Sequence, residues 1–203
     1  MKYLAIDTSG NLIVVAYNGD KKAVRYLKGC TAQHSLTLMP DIEEVILETE
    51  VNLNDFDFYA VVTGPGSFTG IRIGISTIKA LCFACNKKVL PLTAFDCLAY
   101  DNNAPEKAFC IIDANHGNYY CAAYIKKQLV LPPCFMTEGV IKQKSEGFTI
   151  VASKDVPFAD AFTANIEQGL ENAVIALKNN VSEYENIAPL YVKKSQAEEE
   201  SCK

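Results

Sequence analysis

Gly64-Pro65-Gly66-Ser67-Phe68-Thr69-Gly70-Ile71-Arg72-Ile73-Gly74 sets four glycines in eleven residues between two apolar segments. Before it runs Phe58-Tyr59-Ala60-Val61-Val62-Thr63, β-branched and aromatic, and after it comes an apolar pattern of helical period as far as Cys85. The stretch is therefore a strand-to-helix turn. Gly64, Gly66 and Gly70 are free to take positive φ or to let another backbone close in. Pro65 fixes its own φ and biases Gly64 away from the helical region. Ser67 or Thr69 is placed to cap the helix. Gly70 and Gly74 lie on one side of its first turn, where another backbone can approach. A helix N-terminus also attracts anions. However, no Gly-Lys-Ser/Thr closes a Walker loop, and Gly-x-Gly-x-x-x-Gly is not the dinucleotide spacing. Glycines that serve packing are the stronger reading.

The chain opens with strands at 2–7, 12–17 and 22–28. Asp7-Thr8-Ser9-Gly10-Asn11 forms the first turn, and Asn18-Gly19-Asp20 is a hairpin signal. A helix follows over 35–50. Leu38, Ile42 and Val45 repeat at helical spacing, as do Met39 and Ile46, while Leu36 and Leu47 fall outside that stripe. Between Gly70 and Asn86 the second helix has only two charges, Arg72 and Lys79, and it is apolar over a similarly wide arc. Such helices are either deeply buried or meet a partner. A strand at 89–91 and a helix at 94–100 lead to the polar, turn-rich residues 101–107, which suit a lobe boundary.

The opening pattern then returns. A strand at 108–113 ends in Asp113, Asn115-His116-Gly117-Asn118 turns, and strands at 119–125, 129–131 and 148–152 precede a helix at 166–177. The expected organisation is a first lobe at 1–103, a smaller second lobe at 104–192 and a charged, solvated tail at 193–203. This repeat of architecture without repeat of sequence resembles the duplicated lobes of the actin, hexokinase and sugar-kinase ATPases.

Three segments also resemble the TsaB (YeaZ) family, which serves the synthesis of threonylcarbamoyladenosine in tRNA. They are Leu4-Ala5-Ile6-Asp7-Thr8-Ser9, His34-Ser35-Leu36-Thr37-Leu38-Met39-Pro40 and the glycine-rich turn itself. The resemblance implies an α/β protein in the two-lobed actin-like ATPase (ASKHA, ribonuclease H-like) fold with a reduced second lobe. It implies a non-catalytic subunit that holds TsaD, the threonylcarbamoyltransferase, through the two first-lobe helices. The contact residues would be His34, Leu36, Met39 and Glu43 on the first helix, and Gly70, Ile73, Gly74, Thr77 and Leu81 on the second. TsaE would join as a third protein, tRNA would be met only through the complex, and the free chain would form a homodimer. Asp7, Thr8 and Ser9 are the candidate nucleotide- or anion-binding residues. The chain itself would require no cofactor, with ATP, ADP and magnesium belonging to the assembled complex.

The residues present agree with a subunit that lacks chemistry of its own. TsaD has a His-x-x-x-His metal motif after its glycine-rich helix; here the two positions are Ala94 and Leu98, neither of which ligates a metal. The chain has two histidines, His34 and His116, in separate lobes. His34 reads as a helix-start residue, His116 as a hairpin-turn residue, and Asp113 as the head of an Asx-turn. Ser67 lies outside a Gly-x-Ser-x-Gly elbow. The family's second-lobe Asp-Ala-Arg-Arg-x-Glu-Val-Tyr becomes Asp113-Ala114-Asn115-His116-Gly117-Asn118-Tyr119-Tyr120, without its basic residues or glutamate. The family's Pro-x-Tyr-Leu-Arg survives as Pro189-Leu190-Tyr191-Val192-Lys193.

Net charge is −5, with Arg25 and Arg72 as the two arginines, which argues against a module that holds tRNA alone. Met1-Lys2 runs straight into a strand with no signal-peptide pattern, and no apolar stretch reaches the roughly 20 residues that span a bilayer. A cytoplasmic protein is expected. Its eight cysteines are then thiols, with Cys82 and Cys85 as core residues. The rival readings are a stand-alone ATPase or kinase of this fold, a peptidase, and a nucleic-acid-binding module.

Overall fold

A computed structural model describes residues 1–27 and 34–192, with the backbone alone at His34. The charged tail and the far end of the third strand lie outside the described residues. The first half contains β1 (Tyr3–Asp7), β2 (Leu12–Tyr17), β3 (Lys22–Leu27), α1 (His34–Thr49), β4 (Phe58–Val62), α2 (Phe68–Cys85), β5 (Val89–Leu92) and α3 (Ala94–Ala99). The second contains β6 (Lys107–Asp113), β7 (Asn118–Ile125), β8 (Gln128–Thr137), α4 (Glu138–Lys144), β9 (Thr149–Ala152), β10 (Phe162–Thr163) and α5 (Ile166–Leu177).

The repeat read from the sequence extends to topology. The first sheet runs β3-β2-β1-β4-β5, and the second, read from its far edge, runs β8-β7-β6-β9-β10. In each, the first two connections are antiparallel and the next two parallel. The second sheet has as many strands as the first; its helices are what is smaller.

Local chemistry explains the elements. Asn18 closes the β2–β3 hairpin by accepting from the N–H groups of Asp20 (2.9 Å) and Lys21 (2.7 Å), with Gly19 at φ +106°. β1 and β4 are buried along their whole length because helices or strands cover both faces. Ser67 caps α2 by accepting from Gly70 N–H, 3.2 Å. At α3, Thr93 and Asp96 form a reciprocal capping box. Pro40 sits in the second turn of α1, deeper than the first-turn position at which a helix tolerates proline best.

The layers fix where a site can lie. On one face of the first sheet, Leu38, Ile42 and Val45 of α1 and Ile71, Ile75, Ile78 and Cys82 of α2 join a buried cluster with β1, β2 and β4. α2 is long and apolar enough to cross a membrane by length and composition, yet this stripe packs on the sheet. On the other face, α3 and α5 lie between the sheets, in a core that runs from Tyr3, Ala5 and Ile13 to Cys110, Ala122 and Val151. Sequence reading missed α4, β10 and most of β8, whose Pro132-Pro133 suits an edge strand.

Candidate functional site

Two regions bear on function: the cleft at the end of β1, and the outer side of α1 and α2.

The glycine-rich turn docks onto the β1–β2 turn. Ser67 N–H donates to the Ser9 carbonyl at 2.6 Å, and the Thr8 hydroxyl donates to the Gly70 carbonyl at 2.7 Å. A side chain at Gly66 would strike the Ser9 carbonyl, and one at Gly74 would strike the Thr8 hydroxyl. At Gly64, φ is +120°, and a Cβ would meet Ile71 and the Leu190 carbonyl. The glycines thus let three chain segments meet. Leu190 N–H donates to the Thr63 carbonyl at 2.8 Å, and Tyr191 lies stacked on Phe68 with ring centres 5.3 Å apart. The Arg72 guanidinium sits 3.7 Å over the Phe68 ring and donates to the Tyr191 hydroxyl at 2.9 Å. The Pro189-Leu190-Tyr191 segment is thereby held against the start of α2.

Asp7 is buried at the end of β1, and its Oδ1 accepts from Ser9 N–H at 2.7 Å. Burial pushes its carboxyl above the ordinary range, and hydrogen bonds from Ser9 offset part of that. No ion pair reaches Asp7 among the described residues. Asp113 ends β6 and makes the same Asx-turn, accepting from Asn115 N–H at 2.8 Å. It is exposed and paired with Lys154 at 3.0 Å, and these hydrogen bonds hold its carboxyl below the ordinary range.

A narrow cleft of about 80 Å³ separates Asp7 and Asn11 of the first lobe from Ile112 and Ser153 of the second. Ala94 and Leu98 also line it. Small-molecule sites typically enclose about 300–1,000 Å³. Among the described residues, no three His, Cys, Asp or Glu side chains are placed together to hold a metal ion.

On the outer side of α1, Leu36, Met39 and Glu43 are exposed and share one stripe with Leu47; Leu36 is 73% and Leu47 76% exposed. Leu36, Met39 and Leu47 are large apolar groups in water on a helix whose opposite stripe is buried. α1 is held down at its side by Arg25 of β3, which pairs with Glu44 (2.7 Å) and Glu48 (2.5 Å). On α2, Ile73, Thr77 and Leu81 form a half-buried stripe. Gly70 and Gly74 are buried, with Gly74 beneath Thr8. The side chain of His34 lies outside the described residues. Sequence reading did not single out Phe83, 73% exposed near the end of α2, because its position falls off the apolar stripe.

The family model described as TsaD, tRNA N6-adenosine threonylcarbamoyltransferase, matches residues 28–139. A tRNA threonylcarbamoyladenosine biosynthesis protein TsaB from Haemophilus influenzae is 32% identical over 131 residues, 62% of this chain and 55% of that protein. The protein of the same description from Escherichia coli is 28% identical over 145 residues, 70% of this chain and 63% of that protein. The chain thus spans less than two thirds of either relative. A crystal structure described as an uncharacterized Pseudomonas aeruginosa protein with similarity to peptidase YeaZ superposes with a TM-score of 0.75 at 22% identity. It covers 95% of this chain and 99% of that one, and it shows the fold.

Proposed function

The chain belongs to the TsaD family, in its TsaB (YeaZ) branch, and from that premise we propose that it is a non-catalytic subunit for threonylcarbamoyl transfer to the adenosine beside the tRNA anticodon. It holds TsaD through the outer faces of α1 and α2, with TsaE joining the pair and tRNA met only in the assembly. The free chain uses the same apolar faces to form a homodimer, and the protein works in the cytoplasm. It requires no cofactor of its own; ATP, ADP and magnesium belong to the assembled complex.

The observation that carries this reading is the exposed stripe of Leu36, Met39 and Leu47 on α1, beside the half-buried stripe of α2. Apolar groups arranged this way favour a covering partner. The cleft supports the same view. Thr8 and Ser9 are occupied with the glycine-rich turn, and the positions of the catalytic relative's histidines line the cleft as Ala94 and Leu98.

The test is light scattering of the chain alone and mixed with TsaD, for the unaltered chain and for Met39→Asp with Ile73→Asp. Loss of a homodimer and appearance of a one-to-one complex, abolished by the double substitution, is expected. A double variant that still binds TsaD overturns the interface. A chain that ignores TsaD and turns over magnesium-ATP in a manner lost with Asp7→Ala overturns the non-catalytic reading.

A further inference from the structure

β7 and β8 set Cys121 and Cys134 directly opposite one another in the antiparallel ladder. Opposed residues share a face, with Cβ atoms about 4.5–5.5 Å apart. A disulfide needs Cα atoms within about 7 Å and Cβ atoms near about 4 Å, so the ladder brings this pair almost to bonding geometry. The Cys134 thiol donates to the Cys121 carbonyl at 3.5 Å and the Cys121 thiol to the Tyr119 carbonyl at 3.7 Å, so closure requires only that the two side chains rotate from these backbone acceptors towards each other. The register shifts between Cys121 and Ala123, so the ladder is irregular where the strands would draw together. Cys121 is buried, whereas Cys134 is half-buried on the edge strand and within reach of a small oxidant.

The alternatives nearby are excluded by facing. Cys110 of β6 is opposite Ala122, the neighbour of Cys121, and belongs to the core between the sheets. Cys121 and Cys134 belong to the cluster on the other face. Successive strand residues point to opposite faces, so Cys110 and Cys121 are divided by the sheet.

We infer that Cys121 and Cys134 are a redox-sensitive cross-strand pair that a peroxide closes to a disulfide. The Cys134 sulfur attacks one peroxide oxygen; the O–O bond breaks, sulfur is oxidised to a sulfenic acid and water leaves. The Cys121 sulfur then attacks the Cys134 sulfur. The S–S bond forms, the S–O bond breaks, and a second water departs carrying the Cys121 proton. In total, two thiols lose two hydrogens and one peroxide becomes two waters. Burial raises both thiols, Cys121 to about 12, so closure is slow at neutral pH and quickens as pH rises. The bond ties the edge strand β8, on which Leu129 and Val130 are each 51% exposed, to β7.

The full chain is treated with hydrogen peroxide, free thiols are blocked, and non-reduced tryptic peptides are weighed. The expected result is peptide 108–126 joined to peptide 128–142 with two hydrogens lost, reversible by reductant. Cys110→Ser keeps the link, and Cys134→Ser, at a half-buried position that tolerates a hydroxyl, abolishes it. The oxidised chain melts at a higher temperature than the reduced one. Over-oxidation of Cys134 without a link, a link that persists in Cys134→Ser, or a link from Cys134 to another cysteine overturns the inference.

Discussion

Asp7 and Asp113 end equivalent strands and close the same Asx-turn, but burial raises one carboxyl while hydrogen bonds from Asn115 and Lys154 lower the other. Stability should therefore respond to pH with opposite signs at the two positions. For Asp7 the folded protein holds its proton more tightly than the unfolded chain. Stability attributable to it falls as pH rises from the ordinary carboxylate range through the raised folded value. An asparagine in its place would keep the turn, because an amide oxygen also accepts from Ser9 N–H, without the buried charge. Asp7→Asn should raise Tm at pH 7, and the gain should shrink as pH falls below the ordinary range. For Asp113 the contribution is present above the ordinary range and lost as pH falls through the lowered folded value. Asp113→Asn should cost at most about 1 kcal/mol at pH 7, since Lys154 and Asp113 are solvent-screened. Thermal melts of both variants from pH 3 to 8 check this, and parallel slopes would contradict it. The two turns are legible in the sequence because Asx-turns are local. Their electrostatic difference is not, because burial of Asp7 comes from tertiary assembly, with Pro65 of the glycine-rich turn and Ala94 and Leu98 of α3 beside it.

At the scale of elements, hairpins and amphipathic stripes are legible, while the partner each helix chooses is not. α5 reads correctly as a helix over 166–177, yet nothing in its period says that it leaves its own lobe to lie on α3. Gly169 shows why the crossing is so close: its Cα faces the Cys97 carbonyl, and an added Cβ would overlap that oxygen. Asn172 bonds to the Tyr100 carbonyl at 2.9 Å and Asp101 accepts from Asn165 N–H at 2.5 Å, fixing the helix against the chain that follows α3. Replacing a lone helical glycine with alanine gains about 1 kcal/mol on propensity. Here the backbone overlap dominates, so Gly169→Ala should destabilise by about 2–3 kcal/mol despite that gain. Urea unfolding checks the sign, since stabilisation by alanine would mean that the helices sit further apart. β8 escaped sequence reading for a related reason: Pro132 and Pro133 argue against a strand in general, but an edge position leaves their missing N–H groups harmless.

At the scale of the whole molecule, the polar residues 101–107 mark where one sheet gives way to the next, and the core on either side of them is shared. One apolar core spans the interval between the sheets, with Tyr3, Ala5 and Leu90 on one side, Ala108, Cys110 and Val151 on the other, and Phe95, Leu98, Leu170 and Val174 between. Lys22 of β3 pairs with Glu171 of α5 at 2.7 Å, so the first sheet's far edge is also tied to the last helix. The chain leaving α5 returns to the first lobe, pairing Ser182 with Val89 and laying Tyr191 on Phe68. A fragment of residues 1–103 would uncover the α3 side of this core and lose α5 and the Tyr191 clasp together. It should therefore fail to give a cooperative melt, and the full chain should unfold in one transition whose calorimetric and van't Hoff enthalpies agree. Two resolved transitions, or a folded 1–103 fragment, would mean that each lobe is stable alone. The cleft beside Asp7 could then open and close by lobe rotation. A single transition would mean that the lobes are fixed by the same core that holds α1 and α2 in place, as the proposed role of a subunit with a rigid helical surface requires.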